Sequence, residues 1–341
     1  MSIKPRLSSA EFIVLMALIS ATVAFSIDAM LPAMGKIAEE LTPDAPNRAQ
    51  LIITSFVFGM GIGTLFAGPL CDAFGRRTVV VGGALIYCIG SYFAWTSASM
   101  DGVVIARVLQ GVGAAGPRIA SLAITRDLYA GRQMARVMSL MMMVFVLVPS
   151  AAPLIGSWIM AWIGWRGIFL AFILFSVFTV TWLLIRQPET LTPEARRPLN
   201  FATLWDGTKE ICSIPRVLLS LAAQCLTFCM IFFMITTSQQ VFDITFDREA
   251  SFPWWFAMIS LLSACGAFVN SKIVPTLGMR AVIIGALSVQ ACLSLVFVLV
   301  IATGVLPDNA YFAMYLLWIL SVFMVAGGMA IGKIQSRYMA K

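Results

Sequence analysis

Two arginines, Arg107 and Arg118, lie in a stretch otherwise apolar enough to cross a bilayer. Gln110 and Ala114 stand between them at steps of three and four, so all four share one helix face. An arginine in hydrocarbon is costly unless it meets water or a partner. That face must therefore line a cavity, or its arginines must snorkel to an interface. Asp28 is the one carboxylate inside another apolar stretch, since the other fifteen acids fall in loops or at segment ends. Counting the helical rise puts Asp28 roughly 6 Å and Arg107 roughly 8 Å from the same membrane face. Opposite charges at one depth lower each other's cost of burial, and such a carboxylate is placed to carry a proton. The plainer alternative is an aspartate at a helix boundary, wetted by water.

Other chemistries are excluded. The chain has no histidine, which removes His-based catalysis, His metal ligands and a His pH switch. Its seven cysteines are scattered, mostly in apolar runs and with no C-x-x-C pair. They read as small hydrophobes, not disulfides or a metal site. No carboxylate pair or nucleophile–base set supports an enzyme. No cofactor is expected, and the positive net charge of +7 sorts by membrane side, which argues against a nucleic-acid partner.

The elements that must position these residues are membrane helices. Of 341 residues, 60% are hydrophobic and 11% charged, an imbalance no soluble core can hide. Ten apolar segments are expected, near 12–33, 50–70, 78–97, 102–126, 136–157, 166–186, 215–240, 252–271, 280–304 and 311–332. The first has no small-residue cleavage site after it, so it reads as a helix and not a signal peptide. With the N-terminus inside, 17 of the 23 Lys and Arg residues lie on the cytoplasmic side and 4 outside. That bias puts both termini in the cytoplasm.

The longest hydrophilic stretch, 187–214, carries Pro188, Pro193 and Pro198. It reads as a flexible cytoplasmic linker between a six-helix bundle, 1–186, and a four-helix bundle, 215–341. Shifting the chain by 203 residues lays Gly75 and Arg77 on Gly278 and Arg280, and the start of the first segment on that of the seventh. The halves are thus a degenerate parallel repeat, a plan used by secondary transporters. Continuing the repeat needs two more helices, which leads us to expect a C-terminally truncated second bundle.

Several motifs carry chemistry of their own. In Gly68-Pro69-Leu70-Cys71-Asp72-Ala73-Phe74-Gly75-Arg76-Arg77, Gly75 permits a tight reversal and Asp72 can pair with Arg76 four residues on. In the fifth segment, Pro149 and Pro153 with Ala152 and Gly156 read either as a kinked packing helix or as part of an interface between bundles. The first run resembles the loop signature of the major facilitator superfamily. Arg107-Val108-Leu109-Gln110-Gly111-Val112-Gly113 is similar to its fourth-helix motif, and Ala152-Pro153-Leu154-Ile155-Gly156-Ser157 is similar to its antiporter motif. Ser26 to Ala33 and Trp165-Arg166 resemble the Bcr/CflA group of multidrug–proton antiporters.

The resemblance implies an all-α membrane fold, with the first and fourth helices lining a central cavity where Asp28 and Arg107 meet. It also implies an exporter of amphipathic small molecules driven by a proton gradient. Ser26, Gln224, Thr227 and Tyr315 are candidate substrate contacts, with Asp28, Arg107, Gln110 and Arg118 for proton coupling. An uptake carrier of the same fold, and an incomplete, non-transporting chain or partner subunit, stand as alternatives.

Overall fold

A computed structural model describes residues 7–199, 201–263 and 279–329, and helices are the regular elements among them. The chain divides into two compact units, Met1–Phe201 and Ala202–Lys341.

The first unit holds α1 (Ser9–Asp28), α2 (Met34–Leu41), α3 (Leu51–Phe74), α4 (Arg76–Thr96), α5 (Met100–Leu128), α6 (Gly131–Ile163) and α7 (Gly167–Arg186). Ser8 caps α1, its Oγ accepting from Glu11 N at 3.2 Å, and Ser99 caps α5 by accepting from Gly102 N at 3.3 Å. Gly75, at φ +96°, separates α3 from α4. A side chain would be strained there. The expected first segment, 12–33, does not end at Ala33. A 3-10 turn at Leu31–Ala33 leads into α2, so the helical run reaches Leu41. Pro32 is tolerated because it opens that turn, where its missing N–H goes unused.

Lipid supplies no hydrophobic drive between helices, so close packing must hold them. α5 provides it. A Cβ on Gly111 would overlap the Phe56 carbonyl of α3, and one on Gly113 would overlap the Tyr87 backbone of α4. At one end of the unit, Phe12, Met16 and Ile19 of α1 pack with Val80, Ile124 and Leu183 of α4, α5 and α7.

The second unit holds α8 (Phe201–Ser213), α9 (Pro215–Gln240), α10 (residues 252–263 as described), α11 (Met279–Thr303) and α12 (Asp308–Met329). One π-helical turn, Val241–Thr245, extends α9 and carries Phe242. Its ring lies 5.2, 5.3 and 6.1 Å from those of Phe252, Phe312 and Tyr315. Ser321 of α12 donates to Gln290 Oε1 of α11 at 2.6 Å.

Among the described residues, eight of the ten expected segments are helical runs long and apolar enough to cross a membrane. α5, with 29 residues, is also long enough, and its polar residues set it apart. The segment expected at 252–271 lies partly outside the described residues.

Candidate functional site

Arg107 of α5 is the centre of a buried polar network. Arg107 and Gln110 are fully buried. Arg107 Nε donates to the Ile52 carbonyl of α3 at 2.9 Å, Nη2 to the Ser26 carbonyl of α1 at 3.0 Å, and Nη1 to Gln110 Oε1 at 2.5 Å. Its guanidinium carbon sits 4.4 Å from the Phe56 ring centroid. Gln110 Nε2 donates to Ser91 Oγ of α4 at 2.6 Å. Ser26 Oγ lies 2.6 Å from the Tyr87 hydroxyl of α4, and also donates to the Thr22 carbonyl at 2.6 Å. Four helices are thus joined through one cation. The Ile52 carbonyl reaches it because Gly111 of α5 lets α3 come close.

Asp28 is 5% exposed, the only buried carboxylate among the described residues. The expected Asp28–Arg107 pair is not formed. Among the described residues the Asp28 carboxylate makes no hydrogen bond or ion pair. The reason is angular. Ser26 faces Arg107, and residues two apart on a helix do not share a face. Equal depth was therefore not enough to bring the charges together.

Arg118 is half-buried, its Nη1 3.6 Å from Met60 Sδ. In α6, Pro149 is half-buried and Ala152, Pro153 and Gly156 are buried. A Cβ on Gly156 would overlap the Ala29 carbonyl, so Gly156 packs against the end of α1 inside the first unit. Of the substrate candidates in the second unit, Gln224 is exposed, Thr227 is buried and Tyr315 is 6% exposed in the aromatic cluster. Ser26 alone of the four joins the Arg107 network.

A second network occupies the turn between α3 and α4. Arg76, 7% exposed, pairs with Asp72 at 2.6 Å and with Asp127 at the end of α5 at 3.1 Å. Arg77 Nη2 donates to the Leu184 carbonyl at 2.8 Å. Gly68 lies in α3, with open space where a side chain would go. Glu189 accepts from Arg76 N and Arg77 N, at 3.0 and 2.9 Å, and so caps α4 from a distance in sequence. Thr190 Oγ1 donates to Asp127 at 2.9 Å, and Arg197 N to the Asp72 carbonyl at 3.0 Å. Residues 189–197, expected as flexible linker, are therefore pinned to the first unit, and α8 follows them.

The sequence reading missed Tyr87, Ser91, Asp127 and Glu189. Tyr87 and Ser91 stand four apart on one face of α4, a signal available before the fold was known. Nothing local marked Glu189, whose partners lie 112 and 113 residues away.

Residues 15–340 match the family profile described as Major Facilitator Superfamily. The chain is 29% identical over 287 residues to a bicyclomycin resistance protein homolog of Haemophilus influenzae, covering 82% of this chain and 70% of that protein. It is 26% identical over 321 residues to multidrug resistance protein MdtL of Shewanella oneidensis, covering 92% and 78%. Among solved structures, a D-xylose-proton symporter superposes with a TM-score of 0.72 over 94% of this chain and 81% of that one. At 16% identity, that likeness is one of fold. With nearly the whole length matched, the chain belongs to the Major Facilitator Superfamily, is homologous to its Bcr/CflA-type multidrug transporters, and is a multi-pass secondary transporter of the bacterial inner membrane.

Proposed function

We propose that the chain exports amphipathic, cationic small molecules in exchange for protons, with both termini in the cytoplasm. The observation that carries this reading is Asp28: a carboxylate 5% exposed in a membrane helix, with no partner among the described residues. An isolated anion in such a place is strongly disfavoured. It must meet either a proton or a cation, and one site that takes either couples their movements. Arg107 is not the cation in question, because three of its five N–H donors go to two carbonyls and Gln110 and none reaches Asp28. Its role is to fix α1, α3 and α5 around the site. Relatives named for bicyclomycin and multidrug resistance support a drug substrate, and the 17-to-4 distribution of Lys and Arg supports the orientation.

The test is transport in everted vesicles energised with a proton gradient. Adding a lipophilic cation should release protons from vesicles that carry the chain. If a panel of cationic, zwitterionic and neutral drugs gives no response above empty vesicles, the export reading fails. Drug-independent, solute-driven proton entry would favour uptake instead.

A further inference from the structure

The pinned strap after α7 leaves a groove that the transport site does not use. About 580 Å³ of space opens between the start of α4 and the end of α7. Its upper rim is cationic, formed by Arg77 and Arg196, and its wall is apolar, formed by Gly82, Leu85 and Leu184. Leu85 and Leu184 are 59% and 40% exposed. A side chain at Gly82 would meet nothing within 4 Å, so the glycine keeps the wall open.

We infer that this groove is a binding site for an anionic phospholipid. The phosphate would sit between Arg77 and Arg196, with an acyl chain descending over Gly82, Leu85 and Leu184. Charge complementarity argues for it. Neither arginine has a carboxylate within 4 Å among the described residues, and Arg196 makes no side-chain hydrogen bond there. Arg77 spends one nitrogen on the Leu184 carbonyl. The acid on the same rim, Glu189, is already engaged by the backbone N–H groups of Arg76, Arg77, Thr190 and Leu191, at 2.9 to 3.1 Å. It neutralises the rim only in part. The geometry also selects lipid over a free anion. Leu85 lies eight residues below Arg77, roughly 12 Å along the helix, which is headgroup-to-acyl spacing. Farther along the same helices, Ile89 and Phe178 remain exposed and continue the apolar track.

The inference rests on the membrane-transporter reading for its setting, but the test measures lipid retention without transport, so either can fail alone. The purified full chain is given equal amounts of phosphatidylglycerol and phosphatidylcholine with matched acyl chains, and retained lipid is counted by native mass spectrometry. Phosphatidylglycerol should be held in preference. Arg196→Gln should lower its retention about five-fold, as expected for one basic residue at an anionic surface, with an unchanged melting temperature. Gly82→Leu should block the wall and lower retention of both lipids. Free glycerol phosphate should not displace the bound lipid. Equal retention of the two lipids, an unaltered preference in Arg196→Gln, or displacement by glycerol phosphate would overturn the site.

Discussion

Arg107 and Arg76 are both buried in the first unit, at 0% and 7% exposure, yet they are satisfied in opposite ways. Arg76 faces two carboxylates, Asp72 and Asp127, which remain 51% and 24% exposed. Arg107 faces none. Two backbone carbonyls, a glutamine and a phenyl ring hold it instead. Where acids keep contact with water they are cheap partners, and a cation at a helix end can collect them. Deep between helices, each added acid would need its own desolvation, and neutral acceptors already in place do the work. Because Arg107 needs no acid, Asp28 is left without an ion-pair partner among the described residues, and the proposed proton exchange rests on that lack of a partner.

The sharpest way to break this contrast is at Arg107. Arg107→Ala should remove three charge-assisted bonds and lower stability by at least about 3 kcal/mol, read as thermal unfolding in one detergent, with transport lost. Arg107→Lys keeps the charge but cannot span Ile52, Ser26 and Gln110 at once, so it should recover less than half of the loss. Gly111→Ala comes next. Its Cβ would collide with the Phe56 carbonyl, forcing α3 away from α5 and Ile52 from Arg107, at about 2 kcal/mol. Arg76→Ala should cost about 1–2 kcal/mol, since its acids can turn to water. The smallest effect belongs to Arg48→Ala. Its bond to Asp101 is 2.6 Å, as short as that of Arg76 to Asp72, but the partners are 47% and 77% exposed. Removing it should change stability by about 0.5 kcal/mol or less. A result in which Arg48 matters as much as Arg76 would show that distance, and not exposure, sets these energies.

Much of this was legible in the sequence. Hydropathy located the helices, because a membrane span must be apolar for its full length. The loop motif predicted the Asp72–Arg76 pair, since four residues is contact spacing on a helix. The failures share a cause. Depth along a helix can be counted, but direction around it was not applied to Asp28, which lies two residues from the face that meets Arg107. Partners far away in sequence were equally hidden. Glu189 reaches the α4 N-terminus only because α7 returns beside it, and Asp127 reaches Arg76 only because α5 is long enough to end there. The carbonyls of Ile52 and Ser26 carry no side-chain signal at all. The stripe Pro149, Ala152, Pro153 and Gly156 is open between two readings, and the close approach of Gly156 to Ala29 shows that this residue packs within the first unit.

The central claim is that Asp28 carries the proton and does so independently of Arg107. The direct test is Asp28→Asn in everted vesicles, followed by drug-induced proton release, with melting temperature and drug binding measured on the same preparation. Proton release should disappear. Drug binding should persist for uncharged substrates, and melting should not fall, because no ion pair is lost. If Asp28→Asn still releases protons with the wild-type pH dependence, or melts as low as Arg107→Ala, the account is wrong.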